Sequence, residues 1–186
     1  MLGMIFCTDI KGGIGKDNSI PWNCPEDMKL FKEITTDSMV VMGRKTWDSL
    51  PQAFRPLPNR FNVVLTRDER KIDKDVYCTG IDTILNINQS NPEMVIWIIG
   101  GSEIYKQFMQ HIDYLQVSTI YADFDCDTFA PKIPSNFYMV FSERIHTASI
   151  GVKLTTHTYR NGNKSRSKGF EELIRERISR THFGQD

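Results

Sequence analysis

The sequence has little that would staple, anchor or polarise it. Its 186 residues hold four cysteines, Cys7, Cys24, Cys78 and Cys126, which lie far apart and form no CxxC pair. That excludes a disulfide-dense secreted scaffold and fits free thiols in a reducing cytoplasm. The four histidines, His111, His146, His157 and His182, are equally scattered, so no His/Cys zinc set and no other metal site is expected. No apolar run approaches the roughly 20 residues of a membrane span. The longest, 94–99 (MVIWII), is strand-length. The N-terminus lacks a basic stretch ahead of an apolar one, so no secretory leader and no membrane contact are expected. An excess of one charge is missing too. The 23 basic and 23 acidic residues cancel, which argues against broad nucleic-acid binding. What is present, 40% hydrophobic and 25% charged residues, is the composition of one ordinary globular domain with a sizeable core.

Short apolar runs place strands near 2–8, 39–42, 61–66, 94–99, 115–121, 137–142 and 152–159, with a weaker one at 76–78. The runs 39–42 and 94–99 show no period-2 alternation, as expected of strands covered on both faces. Helical patterns fall between them. Pro25 with Glu26 and Asp27 starts a helix over 25–35. Shorter helices fit 44–50 and 81–87. Ser102 and Glu103 open one over 102–112, with Ile104, Tyr105, Phe108, Met109 and Ile112 at helical spacing. The alternation predicts an α/β fold: a central eight-stranded, mostly parallel sheet with an antiparallel C-terminal strand, flanked by helices. The division expected is a catalytic domain over 1–160 and an extension over 161–186. In that extension NGNKSRSKG (161–169) reads as a basic linker, and FEELIRERISR (170–180) as a charged amphipathic helix with Phe170, Leu173, Ile174 and Ile178 on one stripe. Such a short helix needs a partner surface: this chain's body, a second copy or another protein.

Asp27 is the most informative residue. On a helix, positions 27, 30, 31 and 34 share a face, and they read Asp, Leu, Phe and Ile. The acid therefore points with the apolar stripe. Either it is an N-terminal acid favoured by the helix dipole, or it is a cleft carboxylate whose pKa is raised by desolvation. The preceding loop, IKGGIGKDNSIPWN (10–23), is Gly-rich but is no Walker A, because Lys16 is followed by Asp17. It reads as a flexible surface loop or as a lid. Two glycine turns follow strands, MGRKT at 42–46 and IGGS at 99–102. Each is either a tight turn or a phosphate-binding strand-to-helix junction. Two together fit a dinucleotide pyrophosphate gripped from both sides. Arg44, Lys45 and Arg67 are surface cations or grips for a further phosphate. Asp123, Asp125 and Asp127 mimic a calcium loop, but Thr128 and Pro134 stand where Gly and Glu are needed. A strand-end turn is expected there instead.

In order and spacing these segments resemble dihydrofolate reductase. The resemblance is carried by Gly13-Ile14-Gly15, Pro21-Trp22-Asn23, 25–32 with Asp27, Met42-Gly43-Arg44 with Thr46, Trp47 and Ser49, Pro56-Leu57-Pro58-Asn59-Arg60, and Ile99-Gly100-Gly101 with Ile104-Tyr105; Asp127-Thr128 adds a weaker block. It implies NADPH-dependent reduction of 7,8-dihydrofolate to tetrahydrofolate in one-carbon metabolism and thymidylate synthesis, and an antifolate target. By similarity Asp27 and Trp22 are catalytic. Ile5, Cys7, Met28, Phe31, Leu57, Arg60, Ile99, Tyr105 and Ser118 join Asp27 around the substrate, Arg60 as the clamp on its α-carboxylate. Cys7, Ile14, Gly15, Ile20, Gly43, Arg44, Lys45, Thr46, Leu65, Thr66, Arg67, Ile99, Gly100, Gly101, Ser102, Glu103, Ile104 and Tyr105 line the cofactor. Cys7 stands where the family usually has Ala, Ser118 where it usually has Thr, and Glu103 where some members carry a basic residue. The extension carries none of the blocks, so its deletion is expected to spare the chemistry.

Overall fold

The computed structural model describes residues 1–66, 76–145, 149 and 151–181. Its elements are β1 (Leu2–Thr8), β2 (Gly13–Gly15), α1 (Pro25–Thr35), β3 (Met39–Gly43), α2 (Arg44–Ser49), β4 (Phe61–Leu65), β5 (Tyr77–Thr79), α3 (Ile81–Ser90), β6 (Ile96–Gly100), α4 (Ser102–Phe108), β7 (Tyr114–Ile120), β8 (Thr128–Phe129), β9 (Phe137–Ile145), β10 (Leu154–Asn161) and α5 (Lys168–Ser179). Eight strands form one sheet in the order β5-β4-β3-β6-β1-β7-β10-β9. The pairs from β5 through to β7 are parallel, and β10 runs antiparallel to both its neighbours. The predicted fold class is the observed one.

The unbroken apolar runs have a simple cause. Alternate residues of each central strand enter different cores. Met4, Val41 and Ile98 pack on one side with Phe108 and Ile112, whereas Ile5, Val40 and Trp97 pack on the other with Leu30 and Ile34 of α1. A strand buried on both faces has no solvent side to mark with polar residues.

Element ends differ modestly from expectation. β6 begins at Ile96, because the Met94 N–H is used in a turn, donating to the Asn91 carbonyl. α4 stops at Phe108 and tightens into a 3₁₀ turn over Met109–His111. β2 and β8 carry too few residues for any hydrophobic period, and sequence patterning misses both.

The C-terminal helix packs on this chain's own body. Phe170, Ile174 and Ile178 are buried in the same core as Trp97 and Tyr114, while Leu173 is only partly covered. The ring of Phe170 lies 4.7 Å from that of Tyr114 and 5.8 Å from that of Trp97. Ser167 caps the helix by accepting from the Phe170 N–H. The segment that reads as a linker is fastened at both ends. Asn161 ends β10 and donates to the Ile112 carbonyl at 2.9 Å, and Arg166 grips buried Glu171 through Nε and Nη2 at 3.1 and 2.8 Å.

Candidate active site

The site forms where α1 crosses the C-terminal ends of β1 and β7. Pro25 occupies the first turn of α1, and no side chain caps its start. Glu26 turns outward and is partly buried, accepting from the Ser149 backbone and hydroxyl at 2.6 and 3.2 Å. Asp27 turns the other way, to where the side chains of Ser118 and Cys7 act on its carboxyl and favour its charged form. Those two residues are register partners on β1 and β7, so they stand side by side on one face of the sheet. The cleft reading of Asp27 is therefore the one the geometry supports. Burial pushes its carboxyl up from 3.8 to about 6, against the downward pull of the two hydrogen bonds.

The neighbours are held neutral. Burial, and then the charge of Asp27, pushes the Cys7 thiol well above its usual range. It is a weak donor there and no nucleophile. Burial likewise pushes the Tyr105 phenol upward, and its hydroxyl donates to the Ile5 carbonyl at 2.9 Å. Behind Ser118, its Oγ lies 3.5 Å from Thr156 Oγ1. Trp22 packs on Phe124 at 5.1 Å between ring centres, in the small apolar cluster that includes Cys7 and Cys24.

Ile5 and Leu57 are buried, and Phe31 and Ile99 partly so, all in the core beneath α1. Met28 and Ile20, in contrast, are 59% and 67% exposed. Large apolar side chains left open at the rim suit the walls of a cleft that a flat ligand would cover. Arg60 closes the far end. Its Nε donates to the Pro58 carbonyl at 2.9 Å, its Nη1 to Thr35 Oγ1 at 3.0 Å, and its guanidinium lies 5.8 Å from the Phe31 ring centre. Among the described residues those bonds leave Nη2 for a ligand carboxylate.

The two glycine turns meet at neighbouring strand ends, since Met42 of β3 pairs with Gly100 of β6. A Cβ on Gly43 would stand 2.8 Å from Ile104 Cγ1, and one on Gly100, whose φ is +117°, would stand 3.0 Å from the Tyr105 hydroxyl. Only glycine keeps both turns in contact. Thr46 Oγ1 lies 3.4 Å from the Cβ position of Gly101, so Thr46, Gly101 and Ser102 share one rim. Gly43 and Gly101 leave the first turns of α2 and α4 without a side-chain cap. Arg44 and Lys45 are exposed beside them, Arg44 paired to Asp48 at 3.4 Å. Glu103 pairs with Lys106 at 2.8 Å and also feels Lys45. Leu65 is buried, and the Thr66 N–H donates to the Thr79 carbonyl. Arg67 lies outside the described residues.

The Gly-rich loop is braced in a way the sequence reading did not foresee. Asp9, 1% exposed, accepts from the N–H groups of Lys11 and Gly13 at 2.8 and 2.7 Å. An acid three residues ahead of the glycine pair Gly12-Gly13 was the available signal, since short carboxylates nucleate such turns. The Asp123–Asp127 stretch is the loop's counterpart rather than a mere strand-end turn. Asp123 pairs with Lys11, Asp125 with Lys16, and Asp127 accepts from the Asp17 N–H. Ile14 and Gly15 sit on this braced arm, partly buried. Among the described residues, no group of His, Cys, Asp and Glu could hold a metal ion, and no helix is long and apolar enough to cross a membrane. A separate open cleft of about 720 Å³, lined by Ile81, Lys106, Phe137, Asn161 and Lys164 among others, contains none of the site residues.

Residues 1–161 match the profile of a family described as Dihydrofolate reductase. The dihydrofolate reductase of Mycobacterium leprae is 37% identical over 164 residues, covering 86% of this chain and 97% of that protein. Bifunctional dihydrofolate reductase-thymidylate synthase 1 of Arabidopsis thaliana is 35% identical over 177 residues, 86% of this chain and 34% of that protein. The chain thus spans about a third of the length of the plant bifunctional relatives it matches. A solved structure, dihydrofolate reductase from Enterococcus faecalis complexed with NADP(H) and RAB-propyl, is 32% identical and superposes with a TM-score of 0.77 over 86% of this chain and 95% of that one.

Proposed function

The chain belongs to the dihydrofolate reductase family, and we propose that it reduces 7,8-dihydrofolate to 5,6,7,8-tetrahydrofolate with NADPH, in the cytoplasm and in service of one-carbon metabolism. The observation that carries this reading is the enclosed carboxyl of Asp27, held by Ser118 and Cys7 and poised near pH 6. A lone acid of that kind suits proton delivery to a ring nitrogen beside the carbon that accepts hydride. NADPH, when bound, supplies the hydride.

The chain's own residues do the rest. Asp27 pairs with the amino-pyrimidine edge of the pterin and favours protonation at the neighbouring ring nitrogen. Trp22 shields that corner and positions water beside the carboxyl. Ile5, Met28, Phe31 and Leu57 sandwich the pterin and benzoyl groups, and Arg60 receives the α-carboxylate. The cofactor is assigned to the two glycine turns because they meet at neighbouring strand ends and lead into the uncapped first turns of α2 and α4. Gly43, Thr46, Gly101 and Ser102 would hold the pyrophosphate, with Ile14, Ile99, Ile104, Tyr105 and Cys7 around the nicotinamide. Leu65 and Thr66 flank the adenosine, and Arg44 and Lys45 meet the 2′-phosphate. Residues 1–160 form the catalytic unit, and α5, whose apolar stripe is covered by this chain's core, extends it.

The direct test follows NADPH oxidation with and without dihydrofolate, then with an antifolate added. Oxidation that does not depend on dihydrofolate would refute the reading. NADPH should also be preferred over NADH by at least tenfold in kcat/KM, since a charge-assisted bond to the 2′-phosphate contributes about 1.5–3 kcal/mol. Replacing both Arg44 and Lys45 with Ala should remove most of that preference. Equal use of the two cofactors by the unaltered chain would show that these cations serve only solvent.

A further inference from the structure

We infer that Arg177, on the C-terminal helix beyond the region matched by the family, is a positioning residue for the substrate-carboxylate clamp. The inference rests on the reading of Arg60 as that clamp. Its basis is a continuous chain of contacts. Arg177 reaches from α5 to the end of α1, where Nη1 donates to the carbonyls of Ile34 at 2.7 Å, Thr36 at 2.8 Å and Glu33 at 3.3 Å. The last carbonyls of a helix lack intrahelical partners, and a cation there also meets the negative end of the helix dipole. One guanidinium thus closes the C-terminus of α1 and is half-buried in doing so.

Between two of those carbonyls stands Thr35. Its hydroxyl donates to the Phe31 carbonyl at 2.7 Å and accepts from Arg60 Nη1 at 3.0 Å. The same helix end is tied to the clamp's own segment, since the Asp37 N–H donates to the Asn59 carbonyl at 2.9 Å. Arg177 therefore fixes the turn on which Arg60 rests. The apolar stripe of α5 supplies the rigidity, because Ile174 and Ile178, flanking Arg177 on the inner side, are each 1% exposed. The short bonds at 2.7 and 2.8 Å both come from Nη1 at the tip of the guanidinium, and the strongly hydrated ammonium of a lysine replaces it only in part. Arg177 touches neither Asp27 nor the glycine cradle, so its influence should be felt in recognition of the substrate's tail and not in hydride transfer.

The experiment compares Arg177→Gln, Arg177→Lys, Arg60→Ala and the Arg60→Ala/Arg177→Gln double variant of the full chain. Each is assayed with dihydrofolate and with a dihydropterin that lacks the benzoylglutamate tail. Arg177→Gln should raise KM for dihydrofolate about fivefold, a fraction of the loss of a hydrogen bond to a charged group, with kcat, KM for NADPH and KM for the tail-less substrate unchanged. Arg177→Lys should recover part of the loss, and the double variant should be no worse than Arg60→Ala. Unchanged KM in Arg177→Gln, with KM raised in Arg60→Ala, would overturn the inference and leave the clamp standing. An equal rise with the tail-less substrate would overturn it as well, because Arg177 would then act on α1 as a whole. An unchanged KM in Arg60→Ala would remove the clamp itself, and the inference with it.

Discussion

Replacing Asp27 with Asn is expected to lower turnover at pH 7 by roughly 10²–10⁴-fold, the usual scale of general acid catalysis, while NADPH affinity stays nearly constant. The amide keeps the size of the side chain and can still accept from Ser118 and Cys7, so the fold around it should hold. What it loses is the titratable proton. A variant with near-normal turnover at pH 7 would remove Asp27 from the chemistry.

The same substitution should make the protein more stable at neutral pH. Burial raises the carboxyl from 3.8 to about 6, which corresponds to roughly 3 kcal/mol of preference for the neutral form. The sign follows from proton binding. Between those two values the folded chain holds the proton more tightly than the unfolded chain. The stabilising contribution is therefore complete below pH 3.8 and is lost as pH rises through about 6. At pH 7 the ionised carboxylate is a buried cost that Asn avoids. Thermal unfolding should show a higher Tm for Asp27→Asn at pH 7 and a shrinking difference toward pH 4. The rate should mirror this. In single turnovers, hydride transfer should be flat below about pH 6 and fall near tenfold per pH unit above it. Ser118→Ala should move that break upward, because it removes a hydrogen bond that favours the charged form. A break that stays in place would mean that Ser118 does not hold the carboxylate.

Much of this was legible in the sequence because the chemistry is concentrated in local patterns. The unbroken runs 39–42 and 94–99 signal strands covered on both faces, and the Asp-Leu-Phe-Ile stripe of α1 aims Asp27 at the core. Other features were out of reach for a physical reason. Pattern alone left Asp27 divided between helix cap and cleft acid, and only the register that sets Cys7 beside Ser118 decides between them. The role of 123–127 depends on pairs with Lys11 and Lys16 across more than a hundred residues, which no local period encodes. β10 slots between β7 and β9 because the sheet accepts it there, not because any residue in it says so. The stripe of α5 announced that it needed a surface, and the surface proved to be Trp97 and Tyr114.

That surface makes the second large effect. Phe170→Ala is expected to cost about 3–5 kcal/mol, the range for truncating a buried aromatic. Phe170 is 5% exposed and sits at 4.7 and 5.8 Å from two rings, so the deletion leaves a cavity walled by large, stiff side chains that cannot collapse into it. For a domain of this size, each kcal/mol moves Tm by about 2–4 °C, and the variant should melt about 10 °C lower. The loss should appear in one cooperative transition, because Phe170, Ile174 and Ile178 share a core with the central strands, and turnover well below the transition should persist. If the variant instead keeps its Tm while the 168–179 segment becomes open to proteolysis, α5 docks as a separate unit. The core would then end at β10, and the bonds of Arg177 to the end of α1 and of Tyr114 to Glu171 would be what hold the helix on it.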